Sequence, residues 1–276
     1  MKTFYIILIS VSAFLLLSFL AFLFLIKPGK RRAATDKFKG LAYAHRGLHG
    51  GGRAENSLSA FAAAADAGYA IELDVRLSSD GVLMVFHDDT LERVTDESGR
   101  VDLRSAEELS KIRLSGTEDT IPTFSEVLAL VDGRVPLLVE IKEDAGKYGV
   151  TEKTVEALRG YKGDFLIESF NPLALARVKK LMPEAVRGVL SETFFKEKKY
   201  RAPTYFVLQN LLLNFLCKPD FIAFNHEHSK NAALRLVRRL FRVPTLAWTV
   251  RSQREERGAK SHGFDGVIFE NYIPRS

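Results

Sequence analysis

Two carboxylates, Glu72 and Asp74, stand two residues apart in the apolar run 70–75. Residues i and i+2 of a strand face the same side, so both side chains would project together. Two like charges held close in a low-dielectric setting repel, and one takes up a proton unless a cation lies between them. Carboxylate oxygens suit a hard divalent ion, Mg²⁺ or Ca²⁺, better than zinc. Glu140, near the end of the run 137–141, offers a third oxygen ligand, so one divalent cation is the expected cofactor. The plainer alternative is a pair of carboxylates neutralised by Arg76 or Lys142. His45 and His87 end two further apolar runs. Imidazoles titrate in the range needed to take a proton from an attacking oxygen and to give one to a leaving alkoxide. Arg46 brings planar donors for a phosphate and Lys142 a second positive charge. Together these groups suit metal-assisted hydrolysis of a phosphodiester.

Such groups need a frame that gathers strand ends. Short apolar runs recur at 41–45, 70–75, 82–87, 137–141, 164–169, 185–190, 220–224, 244–250 and 265–269. Helical patterns lie between most of them, at 57–68, 105–112, 123–131, 151–159, 172–181, 203–216, 229–241 and 252–261. Strand and helix alternating this often predict a parallel sheet with helical crossovers. The length favours a (β/α)8 barrel over a doubly wound sheet. Nine runs compete for eight positions, so one is extra or 70–75 and 82–87 form an irregular pair. The turn Ser78-Ser79-Asp80-Gly81 between those two is too short for a crossover helix. Active sites of such barrels lie at the C-terminal strand ends. The first five runs finish there with His45-Arg46-Gly47, Glu72 and Asp74, His87-Asp88-Asp89, Glu140-Ile141-Lys142 and Glu168-Ser169-Phe170-Asn171. His226 and His228 could line the mouth, His49 lies in a glycine-rich loop, and His262 reads as surface.

The segment 4–26 carries no charge, and its polar residues are Ser10, Ser12 and Ser18. At about 1.5 Å per residue it can cross a hydrocarbon layer of about 30 Å. It is too long for the core of a cleaved signal and is followed at once by Lys27, Lys30, Arg31 and Arg32, so an uncleaved single-pass anchor is expected. The basic flank places the rest of the chain on the cytoplasmic face. The resulting divisions are an anchor at 1–26, a basic linker at 27–39 and a barrel at 40–276. The net charge of +6 is therefore read first as membrane-flanking charge, and no basic stretch is organised as a nucleic-acid-binding module. A single cysteine, Cys217, excludes an internal disulfide and a thiolate zinc cluster; it reads as a buried apolar residue.

The ordered strings His45-Arg46-Gly47, Glu55-Asn56-Ser57, Ile71-Glu72-Leu73-Asp74-Val75, Asp80-Gly81 and His87-Asp88 resemble the signature of the glycerophosphodiester phosphodiesterase family. Ile121-Pro122-Thr123, Glu140-Ile141-Lys142, Ser169-Phe170-Asn171-Pro172 and Trp248-Thr249-Val250 extend the resemblance over most of the chain. It implies a TIM barrel with a small insertion after the third strand, here about 88–120. It implies hydrolysis of glycerophosphodiesters to glycerol 3-phosphate and an alcohol, with one divalent cation on Glu72, Asp74 and Glu140. His45 and His87 match the family's acid and base, and a cyclic phosphate formed by the glycerol hydroxyl is one course it allows. Glu55, Asn56, Phe170, Asn171 and Trp248 are candidate substrate-lining positions. Two departures stand out. Ala54 replaces the usual proline, and the last run ends in Phe269-Glu270-Asn271-Tyr272-Ile273-Pro274 in place of Thr-Asp-x-Pro. In 194–216, Lys196, Lys198, Lys199 and Arg201 precede Tyr205, Phe206, Leu208 and Leu211, a pattern of a helix lying on a membrane surface or packed on the barrel. The surface reading would admit lysolipid substrates and phospholipase D-like hydrolysis of them. Outside enzymes, the alternative is an inactive, membrane-tethered binding barrel, which would have lost catalytic groups that are present here.

Overall fold

The computed structural model describes residues 1–29, 31–143, 149–196 and 201–274, with the backbone alone for Arg32 and Ala33. Lys30, Lys198 and Lys199 lie outside the described residues. Nine strands form: β1 (Ala42–Ala44), β2 (Ala70–Leu77), β3 (Leu83–Val85), β4 (Leu137–Ile141), β5 (Phe165–Ser169), β6 (Val186–Ser191), β7 (Phe221–Asn225), β8 (Thr245–Val250) and β9 (Gly266–Phe269). Eight are parallel, in the order β1-β9-β8-β7-β6-β5-β4-β2, and a β1–β2 pairing closes the ring. The ninth, β3, runs antiparallel on β2, with Val75 opposite Val85. The question of nine runs for eight places is thereby settled. The turn at 78–81 reverses the chain, and β3 stands outside the barrel.

Several helices begin where a short polar side chain takes an otherwise orphaned amide. Ser57 accepts from Ala60 N, Asn231 from Leu234 N, and Thr123 forms a reciprocal capping box with Glu126. Asn171 caps Pro172–Leu181, with proline in the first turn where its missing N–H is not needed. One expected helix is corrected. The 203–216 segment breaks into Pro203–Gln209 and Asn214–Cys217, and Leu211 between them takes φ +56°. That left-handed residue turns the chain so that Leu211 itself is buried.

The core divides by strand parity. Outward residues such as Ile71, Leu73, Val139, Ile167 and Phe224 pack with Phe61, Phe124, Val155, Leu175 and Val237 from the surrounding helices. Inward residues Tyr43, Ala70, Leu138, Leu166, Val186, Phe221, Leu246 and Ile268 form a second cluster inside the barrel. Gly188 belongs to this layer by register; a Cβ there would lie 2.2 Å from the Phe221 ring, so the glycine makes room for the phenylalanine. A third cluster, built on Met84, Phe86, Leu91, Leu109 and Ile121, gives the insertion after β3 a small core of its own.

The helix Lys2–Leu25 has a mean hydropathy of 2.8 and is long and apolar enough to cross a membrane. Its last turn docks on the barrel. Ile26 is fully buried, Asn214 Nδ2 donates to Ile26 O at 3.1 Å, and the Phe24 and Phe215 rings lie 5.4 Å apart. Within the 27–39 segment, Arg31 and Phe38 pack on the barrel's N-terminal end. Arg31 donates to Asp220, Pro183 O and Ala185 O. Phe38 is 4% exposed and closes the bottom of the inner cluster.

Candidate active site

Above the apolar inner layer, the same strands turn polar two residues later. The inward sequence reads Tyr43 then His45, Ala70 then Glu72 and Asp74, Leu138 then Glu140, Leu166 then Glu168, and Ile268 then Glu270. Strand register aligns Asp74 with Glu140 and Glu140 with Glu168. Oxygens of Glu72, Asp74 and Glu140 lie within 4.8 Å of one another, and all three residues are buried. Burial first, and then the Asp74 and Glu140 charges, raise the Glu72 carboxyl well above its usual range. Burial also opposes ionisation of Asp74, but Lys142, His87 and Arg46 outweigh it and hold that carboxyl well below its usual range. Lys142 Nζ reaches Glu140 Oε1 at 2.7 Å and Asp74 Oδ1 at 3.1 Å. The neutralising contact weighed from the sequence therefore exists, made by Lys142; Arg76 turns away to His87 O and Asp89.

One lysine does not balance the cluster. Glu168 is 1% exposed, neither of its oxygens has a hydrogen-bond partner among the described residues, and burial followed by the Glu72 and Glu140 charges raises its carboxyl well above normal. Asp74 Oδ1 also lacks an aligned hydrogen bond. Crowded buried carboxyls with spare oxygens fit a hard divalent cation, whose charge would offset their repulsion. The acidic triad is thus able to hold such an ion, and the donor set contains no soft ligand.

The loops after the strands bring the remaining groups in. Arg46 takes φ +56° and Gly47 φ +82°. A Cβ on Gly47 would lie 2.9 Å from Ala60, so this turn requires glycine. The turn aims the Arg46 N–H at Glu72 Oε2, 2.9 Å away, and leaves His45 Nε2 4.0 Å from the same oxygen. His45 Nδ1 lies 2.9 Å from Glu270 Oε2. Burial pushes His45 down to about 4, and the hydrogen bond with His45 holds Glu270 at about 2. An ionised Glu270 and a neutral imidazole assign the proton to Nδ1 and leave the Nε2 lone pair facing the carboxylates. His87 Nδ1 lies 2.6 Å from Asp88 Oδ1. Burial works against ionisation of Asp88, but hydrogen bonds from His87 and Arg93 prevail and hold it at about 2.

The expected lining residues divide. Glu55 is engaged by Arg46 and Arg93, and Asn56 donates to Asp74 Oδ2 at 2.9 Å; both brace the site. Asn171 caps its helix and donates to Glu143 O. Phe170 and Trp248 meet edge to face, 5.5 Å between centroids, and Lys142 Nζ stands 6.0 Å from the Phe170 centroid. His228 accepts from Thr193 N, His226 pairs with Glu255 and His262 lies with Gly258 O, while His49 feels the Glu270 and Glu55 charges. Sequence reasoning assigns Glu168 no role beyond ending its strand and takes Glu270 only as a departure from the family pattern. The period of two from Leu166 and from Ile268 marks both as inward-facing.

The family profile described as glycerophosphoryl diester phosphodiesterase matches residues 45–273. A glycerophosphodiester phosphodiesterase of Caldanaerobacter subterraneus is 32% identical over 249 residues, covering 84% of this chain and 95% of that protein. Among solved structures, a phosphodiesterase of Oleispira antarctica in complex with its product, sn-glycerol-3-phosphate, aligns with a TM-score of 0.69 at 25% identity over 84% of this chain and 94% of that one. A putative glycerophosphoryl diester phosphodiesterase from Silicibacter pomeroyi shares the fold, with a TM-score of 0.69 at 20% identity over 86% of this chain and 93% of that one. With a closed eight-stranded barrel and an acidic triad at its C-terminal rim, the chain belongs to the glycerophosphoryl diester phosphodiesterase family and is a phosphoric diester hydrolase.

Proposed function

We propose that the chain hydrolyses glycerophosphodiesters to glycerol 3-phosphate and an alcohol, using one Mg²⁺ or Ca²⁺ held by Glu72, Asp74 and Glu140. The observation that carries this reading is the buried triad with His45 Nε2 turned toward it. When bound, the cation would draw charge from the phosphoryl oxygens and offset the repulsion among the carboxylates. Arg46, whose Nε has no hydrogen-bond partner among the described residues, and Lys142 would bind the phosphate oxygens. His45, neutral at pH 7, accepts a proton from the attacking water, and Glu270 steadies the imidazolium that results. His87, oriented by Asp88, donates a proton to the departing alkoxide. A bond from the attacking oxygen to phosphorus forms as the bond to the alcohol oxygen breaks.

The same reading divides the chain into an anchor at 1–26, a segment at 27–39 and a catalytic barrel at 40–276. The docked end of the apolar helix supports its retention as a membrane anchor, since Ile26 and Pro28 are buried against the barrel. The flank bearing Lys27 and Arg31 supports a cytoplasmic barrel. The deciding experiment incubates the full chain, in lipid nanodiscs, with glycerophosphocholine and Mg²⁺, Ca²⁺ or EDTA. Release of glycerol 3-phosphate with a cation and its loss in EDTA are expected; no turnover with any cation would refute the reading. For orientation, a C-terminal reporter should resist external protease in intact cells, and cleavage there would reverse the assignment.

A further inference from the structure

The helix Ala232–Phe241, between β7 and β8, carries no acid. Arg235, Arg238, Arg239 and the following Arg242 recur along it at i, i+3, i+4 and i+7, which puts all four on one face. Cations belong near a helix C-terminus, where the dipole favours them, but that effect fades within one turn and does not reach Arg235. Like charges three and four residues apart repel and cost the helix stability. Exposed lysines on other helices have acids beside them: Lys111 has Glu107, Lys153 has Glu156 and Lys260 has Glu256. Arg235, Arg239 and Arg242 are exposed, and their guanidinium groups have no hydrogen-bond or ion-pair partner among the described residues.

These side chains line a groove of about 530 Å³ together with Lys230 and His262. Val243 and Asp265 place one end of it at the starts of β8 and β9, opposite the carboxylates. Arg238 is held in place: its Nη2 donates to Gly263 O, and its guanidinium lies 5.4 Å from the Phe264 centroid. Gly263 takes φ +79°, and a Cβ there would overlap that nitrogen, so glycine keeps the space for the arginine. Asp265 is the one acid on the lining among the described residues, and its Oδ2 already accepts from Thr245 N and Oγ1. A groove with this surplus of planar cations favours phosphate oxygens, which arginine can bind two at a time. Its size suits a phosphate with its substituents. Leu240, next to Arg239, is 52% exposed, and apolar surface beside cations is the composition of a segment that meets lipid.

The same end of the barrel receives the apolar N-terminal helix. Beyond Ile26, Gly29 N donates to Pro219 O at 2.8 Å and Arg31 donates to Asp220, both just before β7. The segment then crosses the base, where Gly40 N donates to Asp265 O at 3.0 Å. β7, β8 and β9 are neighbours, so the attachment and the groove stand about two strand spacings apart, roughly 10 Å. We propose that the groove holds the phosphate headgroup of an anionic phospholipid from the bilayer that Lys2–Leu25 crosses, a second contact that fixes the barrel's base on the membrane. It goes beyond the hydrolysis and draws only on the anchor, for the source of the lipid. The anionic character of a cytoplasmic leaflet fits the orientation that the basic flank supports.

The test measures amide hydrogen exchange across 232–243 and 262–265 in the full chain, held in nanodiscs of phosphatidylcholine alone or mixed equally with phosphatidylglycerol. Headgroup binding relieves the repulsion among the arginines, so exchange in the last turn of Ala232–Phe241 should slow by about tenfold in the anionic discs. A triple variant, Arg235→Gln, Arg239→Gln and Arg242→Gln, alters exposed positions alone and should not respond to the lipid composition. A second measurement needs no bilayer. Dioctanoyl phosphatidylglycerol, titrated onto the full chain in neutral detergent, should bind the wild type about a hundredfold more tightly than the triple variant, and added salt should weaken it. Equal exchange in both kinds of disc, or an equal response in the triple variant, would overturn the lipid contact and leave the anchor standing. Protection by inorganic phosphate with none from the anionic discs would assign the groove to a soluble anion and overturn it as well. A chain recovered free of the discs would remove the anchor and the lipid source together.

Discussion

The two layers inside the barrel are built on the same strands and do opposite work. The lower layer, Tyr43, Ala70, Leu138, Leu166, Phe221 and Ile268 over Phe38, is apolar and contributes packing. The upper layer, two residues or about 7 Å along each strand, carries His45, Glu72, Asp74, Glu140, Glu168 and Glu270. All of its carboxyls but that of Glu270 are buried, and they are crowded and in part without hydrogen bonds among the described residues. The lower layer gains free energy from leaving water, whereas the upper layer gives some up to hold charge where a cation and a phosphate would need it. A barrel can accommodate that loss because the outer layer, where helices cover the strands, is a large buried apolar cluster.

The contrast can be broken most sharply from the upper layer. Asp74→Asn should lower kcat about a thousandfold while leaving the thermal melt of the metal-free protein unchanged or higher, measured by glycerol 3-phosphate release and calorimetry. A marked loss of stability would show that Asp74 serves packing after all. The lower layer should answer in the other sense. Phe38→Ala should cost about 3–5 kcal/mol in urea melts while each remaining folded molecule keeps its activity. A neutral effect would mean that the 27–39 segment is a free linker. Smaller than either is the effect of Glu270→Gln, which loosens His45 without removing it; a fall in kcat of roughly 10–100-fold, with cation affinity preserved in titration calorimetry, is expected. Unchanged kcat would sever Glu270 from the site.

The smallest effect is one of pH. The native protein holds a proton on Glu168 that the unfolded chain releases above about pH 4.3. Its stabilisation is therefore present in full below that pH and lost as pH rises toward the native value. In EDTA, Glu168→Gln should remove that slope, raising Tm by about 2–4 °C at pH 8 and leaving it unchanged near pH 4. A gain that is equal at both pH values would point to shape and not charge.

The strands and the chemistry at their ends are legible in the sequence alone. Period-two runs with short turns, helices opened by Ser57, Thr123 and Asn171, and His45, Glu72, Asp74, His87 and Glu140 at strand ends are all local patterns, and local patterns survive without knowledge of partners. The remainder depends on which distant segments meet, and so on the closed barrel. β3 leaves the ring because β1 closes onto β2 directly. The helix expected at 203–216 breaks because Leu211 must turn inward. Arg31 and Phe38, which read as part of a charged linker, are drawn to Asp220 and to the open base of the barrel, surfaces that do not exist until the barrel has closed. Glu270 becomes a partner of His45, 225 residues away in sequence, because β9 and β1 lie side by side, a pairing that only barrel closure creates.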